Sequence, residues 1–353
     1  MTRQDVLDAI KRNDTIENTD LSGVDLSCAD LTGGRFENVT FNRANLSGAN
    51  VLKTGFKRCD FSGVILDGTD LTKVDLRKMK FTGASMRGTT FHMTLLQRSD
   101  LTDADCSGAL FSWTLLQHAK LDKADLSKTK FEKVVCSHTS LKGANLSGAD
   151  LVKVVFNDAD LTGTVFSGAH FFKIMFSQCD LSGQDFKGAQ FSTVNARGSS
   201  LKKSDFTGAN ITYSNFMDAD MTEANLERVG GEHAMFMGAT LKGARLAGAN
   251  VAKSYFGDAD LSAADFSGAN LANCGFERAV CRATIFKKAS CPYADFSHVD
   301  MTAADFTDAN LYMARLHRVT EDHTVWERTK KLRIRGVDKD MAEAEEWQPP
   351  PEQ

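Results

Sequence analysis

Apolar residues recur at every fifth position along most of this chain. The spacing runs from Ile16 to Leu316 without an insertion, through Leu21, Leu26, Leu31, Phe36, Phe41 and onward, and only Gly231 breaks the apolar series. Of the 24 phenylalanines, 23 occupy this one slot in five. Two residues before each centre stands a small residue, such as Ala29, Ala44, Thr69 or Ala104. Asp or Asn often stands between the two, and Ser or Thr and then Gly often follow. A period of five fits neither the 3.6 of a helix nor the 2 of a long strand. The small residue and the centre are two apart, so in an extended backbone they point to the same side. Both then face inward, and the remaining slots face out or form a turn. A chain that turns every five residues after one short extended step closes a coil and stacks on itself, which predicts a solenoid.

The recurring phrases "ANLSG", "ADLTG" and "ADFSG" resemble the A(D/N)LXX consensus of pentapeptide repeat proteins. The resemblance implies an all-β fold, a right-handed quadrilateral β-helix with four pentapeptides per coil and stacked Leu/Phe ladders inside. Four fives per coil give about fifteen coils, and a strand spacing of roughly 4.8 Å gives a length of about 70 Å. Seven cysteines fall on inward slots: Cys59, Cys179 and Cys274 at the small position, and Cys106, Cys136, Cys281 and Cys291 at the centre. They read as core filler, and only Cys28 is expected to be exposed.

Three segments follow from the pattern. Residues 1–13 form an N-terminal capping helix, with Thr2 as N-cap, Asp5 three residues later, and Val6, Leu7, Ala9 and Ile10 as its apolar face. Residues 14–318 are the solenoid. Residues 319–353 lose the period and read as a C-terminal cap and flexible tail, with Val325 and Trp326 covering the last coil and "PPPEQ" extended and mobile. The resemblance also implies a homodimer through the C-terminal region, because some relatives pair there. Around Gly231 the frame resumes without a gained or lost residue, so a distorted corner is expected.

Dividing residue numbers by twenty sorts the solenoid into surface rows. Rows with remainder 3 and 8 are rich in Gly, as turns require, and rows 0, 5 and 10 are rich in Asp and Asn. The band from 12 to 15 differs. It holds Met93, Trp113, Lys133, Lys153, Lys173 and Tyr213 in row 13, and Leu95, Leu115, Val135, Val155, Met175 and Tyr255 in row 15. Row 12 adds Phe172, the one phenylalanine off the centre slot. Apolar side chains with aromatic anchors and a charged rim have the composition of an interface, so these residues form the candidate partner-binding face. Rows 17 and 18 beside it are basic in the N-terminal half, with Lys57, Arg58, Arg77, Lys78 and Arg98, then His118 and His138.

Charge and motifs narrow the function. Net charge is −4, from 42 basic and 46 acidic residues. The opening "MTRQDVLDAIKRND" lacks the apolar stretch of a secretory signal, and no run is long enough for a membrane span, so a cytoplasmic protein is expected. A signal-less export route would leave the same features. No GxSxG, P-loop, HExxH or strand-borne GxGxxG is present, so no enzyme, cofactor or metal centre is expected. The leading expectation is a non-catalytic scaffold or adaptor for a protein partner of unknown identity. Residues 19–50 also resemble members associated with bacterial type VI secretion, which implies an accessory or effector role. The alternative is a DNA-mimicking topoisomerase inhibitor or protector, as in quinolone-resistance members. Duplex DNA carries one charge per roughly 1.7 Å, so a mimic of this length needs on the order of 40 negative charges. Nucleic-acid binding by the lysine row is the weaker expectation, since Asp crowds the other faces.

Overall fold

Bridged residues pair in parallel with the residue twenty positions on, as Asp20 does with Thr40, Leu95 with Leu115, and Asp205 with Asn225. Four fives therefore make one coil, and the chain forms the quadrilateral β-helix that the repeat predicts. The computed structural model describes residues 1–347, so the expected extended "PPPEQ" lies outside the described residues. The chain divides into two compact units, Met1–Ser200 and Leu201–Gln353.

In the first unit, α1 (Arg3–Lys11) opens on a reciprocal cap, in which the Thr2 side chain accepts from the Asp5 amide and the Asp5 carboxylate accepts from the Thr2 amide. Its Val6 and Ala9 are buried. Three strands follow in one parallel sheet, β1 (Thr15–Glu17), β2 (Arg35–Glu37) and β3 (Gly55–Lys57), with Ile16, Phe36 and Phe56 in register. A five-stranded sheet contains β4 (Thr90–His92), β5 (Leu110–Ser112), β6 (Lys130–Glu132), β7 (Asp150–Val152) and β8 (His170–Phe172). Eight turns thus carry a three-residue strand, against the about fifteen coils expected at the strand spacing. Elsewhere the extended step shrinks to a single bridged residue between two turns.

Inside, each centre stacks on its neighbour one coil away. Phe91, Phe111 and Phe131 are separated by 4.5 and 4.7 Å with nearly parallel rings, and all three are buried. Threonines in the small slot are satisfied by the backbone of the coil below, as where Thr69 Oγ1 donates to the Leu46 carbonyl at 2.9 Å. Outside, Asp or Asn before a centre caps the amide two residues on: the Asp20 carboxylate accepts from the Ser22 amide at 2.8 Å, and Asp125 from Ser127 at 2.9 Å. These are Asx turns, and they explain why Asp and Asn crowd that slot. The hydroxyl and amide of Ser22 hold the Asp20 carboxyl below its ordinary range.

Stacking is interrupted at two places within this unit. In the first, a cleft of about 390 Å³ opens between Phe56–Arg58 and Asp75–Met79, beyond β3. In the second, a cleft of about 460 Å³ opens between Phe166–His170 and Asp185–Gln190. Phe166 and Phe186 stand 6.1 Å apart. Phe166, Phe171, Phe176, Phe186 and Phe191 crowd two coils, and a buried Gln184 takes a small slot.

The second unit repeats the geometry with bridges alone. The distorted corner expected at Gly231 is absent. Gly230 pairs with Asn210 and Asn250, and the Gly231 amide donates to the Asn250 carbonyl at 2.8 Å. A Cβ on Gly231 would lie 2.8 Å from Ile211 Cγ1 and 3.2 Å from Val251 Cγ1. The neighbours one coil away have filled the missing centre.

Coil geometry also continues past residue 318, where the period of apolar centres stops. Thr320, Val325, Lys330 and Arg335 bridge to Asp300, Asp305, Asn310 and Arg315. The preceding coil templates this turn through its free backbone groups, although its centre slots hold Glu321, Trp326 and Lys331. Trp326 stacks on Phe306 at 4.7 Å, and Lys331 Nζ lies 3.6 Å from the indole centroid. Val325 points outward, 41% exposed.

A second helix, α2 (Lys339–Glu346), then docks on the terminal coils. Glu345 receives hydrogen bonds from His298 Nε2 at 3.0 Å and His317 Nε2 at 3.3 Å, and Arg318 pairs with both Glu345 and Glu346. Burial opposes the charge on Glu345, but the two imidazoles outweigh it and hold the carboxyl below its ordinary range. A depressed carboxylate stabilises the docked state above its unfolded value and loses that contribution as pH falls through the docked one. Protection of the α2 amides against hydrogen exchange is therefore expected to persist down to weakly acidic pH and to disappear below about pH 4. Protection that vanished already near neutrality would show that another contact holds the helix.

Among the described residues no helix is long and apolar enough to cross a membrane. All cysteines except Cys28 are buried, and burial pushes the Cys179 and Cys274 thiols up to about 12.

Candidate functional site

Row 15 in the first unit is built from the residue just before a centre. Its apolar run is bounded by Asp75, which caps the Arg77 amide at 3.1 Å, and by Asn195, which caps the Arg197 amide at 3.1 Å. Between them stand Leu95, Leu115, Val135, Val155 and Met175, bridged one to the next. None of these five can accept a hydrogen bond through its side chain. The amides they leave behind, those of Gln97, Gln117, Ser137, Asn157 and Ser177, find no acceptor among the described residues. Leu95, Leu115, Val135 and Val155 are half-buried, and Met175 is exposed.

Row 13 sits at the preceding turn, where every residue adopts a positive φ. Trp113 has φ 52°, Lys133 55°, Lys153 55° and Lys173 56°. Glycine is the usual occupant of such a turn because it has no Cβ. The conformation turns these side chains outward: Met93 is 47% exposed and Trp113 53%. Lys133 Nζ lies 4.3 Å from the Trp113 ring, and Lys173 Nζ lies 5.2 Å from the exposed Phe172 ring. Leu110, exposed at the start of β5, extends the patch, which a reading by rows 12 to 15 misses. Its signal was a leucine in a row whose neighbouring coils hold Asp70, Thr90, Lys130, Asp150 and His170.

The two tyrosines of the sequence-based face belong to the second unit, and they differ. Tyr213 is 63% exposed and stacks on His233 at 4.9 Å. Tyr255 lies in a hollow floored by glycines: a Cβ on Gly257 or Gly275 would come within 2.5 Å of its ring. It fills a surface depression and does not project.

Metal chemistry finds little purchase. His118 and His138 stack at 5.0 Å, with Asp158 4.0 Å from His138. The ligand atoms of His298, His317 and Glu345 lie within 4.8 Å of one another. However, the Asp338 amide donates to His317 Nδ1 at 3.0 Å. That bond places the proton of the neutral ring on Nε2, facing Glu345, so the group is a hydrogen-bonded clasp for α2.

Family comparisons agree with the geometry. "Pentapeptide repeat region" matches residues 34–109, 54–131 and 129–206, and "Pentapeptide repeats (8 copies)" matches 214–251, 239–278, 259–302 and 284–320. The chain belongs to the pentapeptide repeat family. Three solved family structures are similar to it. HetL from Nostoc sp. strain PCC 7120, described as involved in heterocyst differentiation regulation, is 18% identical, with 94% of each chain covered and a TM-score of 0.25. A thylakoid-lumen pentapeptide repeat protein from Arabidopsis thaliana is 36% identical over 27% of this chain and 63% of that one, with a TM-score of 0.21. QnrB1, a plasmid-mediated fluoroquinolone resistance protein, is 20% identical over 59% of this chain and 93% of that one, with a TM-score of 0.33. No curated protein sequence matches this pentapeptide repeat protein.

Proposed function

We propose that this protein is a non-catalytic interaction scaffold, and that its first unit presents the Leu95–Met175 row with its aromatic and lysine flank to a protein partner. One observation carries the reading. Five consecutive turns give up the Asx cap for apolar side chains, although Asp75 and Asn195 at either end show that the row accommodates it. A hydrogen bond of this kind contributes about 0.5–1.5 kcal/mol, so the fold forgoes several kcal/mol along one stripe. Half-burial of a leucine or valine offsets part of this, at about 25 cal/mol per Å². What the stripe adds is a contiguous apolar surface with an aromatic anchor, the composition of a binding core.

Restoring the cap residues separates stability from binding. Leu115→Asn with Val135→Asn is expected to leave the melting temperature within a few degrees of the parent, because two new caps offset the lost apolar area. Retention of a protein partner on the immobilised chain is expected to fall at least about tenfold, roughly 1.4 kcal/mol of binding. Undiminished retention would place the contact elsewhere.

Topoisomerase inhibition by duplex mimicry is the rival, and the net charge of −4 and the lysine row weigh against it. A supercoiling assay with purified topoisomerase is expected to show no inhibition, and inhibition at micromolar protein would reverse the ranking. The likeness to HetL and QnrB1 concerns the fold, so neither described role is carried over. Likewise, the phrasing of residues 19–50 supplies no residue with a mechanism for secretion, and the proposal stops at interaction. Pairing of two copies through the terminal coil, which the resemblance implies, would use the exposed Val325, Leu332 and Val337.

A further inference from the structure

We propose that the occupant of this face is an amphipathic α-helix whose apolar seam is bordered by carboxylates. The proposal rests on the interaction-face reading above and adds the chemistry of the partner.

Both borders of the apolar row carry donors or cations. On one side run Lys133, Lys153 and Lys173, of which Lys133 lies over the Trp113 ring. On the other side run Arg98, His118 and His138 in row 18, with the uncapped amides of row 17 between them and the stripe. Row 17 adds a second feature. The side-chain oxygens of Gln97, Gln117 and Asn157 are buried without hydrogen-bond partners. Acidic groups at this face are already engaged: Glu132 is 3.2 Å from Lys133, and Asp158 is 4.0 Å from His138. An apolar seam flanked on both sides by donors and cations is complementary to an apolar seam flanked on both sides by acceptors.

The spacing selects a helix. Row 15 offers one apolar side chain per coil, about every 4.8 Å. A helix presents the same face every 5.4 Å, close to that step, whereas a strand laid along the row presents it about every 6.8 Å. Four coil steps span about 19 Å, the length of roughly 13 helical residues. Nucleic acid would satisfy the cations but has no apolar seam for Leu95 to Met175.

The test uses the full chain and two synthetic fluorescein-labelled helical peptides of about 18 residues, one helical turn longer than the row. They share one Leu/Phe seam and differ only in carrying Glu or Lys along its edges. Fluorescence anisotropy is expected to show the Glu-edged peptide binding at least about tenfold more tightly, as three modest surface pairs would give. Its affinity is expected to fall as salt rises from about 0.05 to about 0.3 M. The variant Lys133→Glu/Lys153→Glu/Lys173→Glu is expected to reverse the order of the two peptides. These side chains lie outside the core, so circular dichroism of the variant is expected to match the parent. Equal binding of both peptides, binding of neither, or tighter binding of a DNA duplex that the triple variant abolishes would each overturn the proposal. Retention of the cellular partner distinguishes the two levels. If Leu115→Asn/Val135→Asn abolishes retention and the lysine variant leaves it intact, the face stands and the acidic helix falls. If neither variant changes retention, both fall.

Discussion

Phe111→Ala is expected to lower the unfolding free energy by about 3–5 kcal/mol, while Trp113→Gly, two positions on, is expected to leave it unchanged or slightly raise it. Phe111 has no exposed surface and lies between Phe91 and Phe131 at 4.5 and 4.7 Å. Truncation leaves a cavity that the rings above and below cannot close, because the backbone ladder fixes the coil spacing. Trp113 is 53% exposed at φ 52°. A non-glycine residue pays about 1–2 kcal/mol in that left-handed conformation, and glycine removes the strain. The cost of the change is the contact with Lys133, about 0.5–1 kcal/mol at an exposed site. Denaturation followed by circular dichroism measures both. If Trp113→Gly were as damaging as Phe111→Ala, Trp113 would be a packing residue and the candidate face would lose its anchor.

Gly231→Leu is expected to destabilise the second unit by about 1–3 kcal/mol, although leucine is a preferred residue at that slot. Consensus reasoning gives the opposite sign. The new Cβ would meet Ile211 Cγ1 at 2.8 Å and Val251 Cγ1 at 3.2 Å before any further carbon is placed. Ile211 and Val251 occupy the space that a leucine needs, so they must leave their rotamers or part the coils. Val251→Ala in the same chain is expected to return part of the loss, since the two sites are in contact. A rise in melting temperature with Gly231→Leu would show that the site is an empty cavity.

The coil and its rows were legible because every inward slot is specified again five residues later. The face was partly legible, and the misses share a cause. The expected corner at Gly231 ignored the residues twenty positions before and after, which decide whether a missing side chain leaves a hole. The boundary at 318 equated a coil with an apolar centre, whereas backbone groups of the coil below suffice to order Thr320 to Arg335. Tyr213 and Tyr255 sit in the same band, yet only Tyr255 has glycines beneath it to lie on. The docking of α2 depends on His298, His317 and Glu345, which lie up to 47 residues apart in no repeating phrase. Reading in steps of five places each residue on its row, but packing is decided by the neighbours twenty residues away.

The charged residues at the last centres have a consequence for assembly. A fold that grows by laying one coil on another presents, at each end, a surface on which a further chain could continue the stack, and head-to-tail contacts of this kind do not close. α1 occupies the first coil of the first unit. At the far end of the second unit, Glu321 and Lys331 put exposed charges where the ladder would continue. Stacking a further coil there would bury charges with no partner, which disfavours a next chain continuing the ladder.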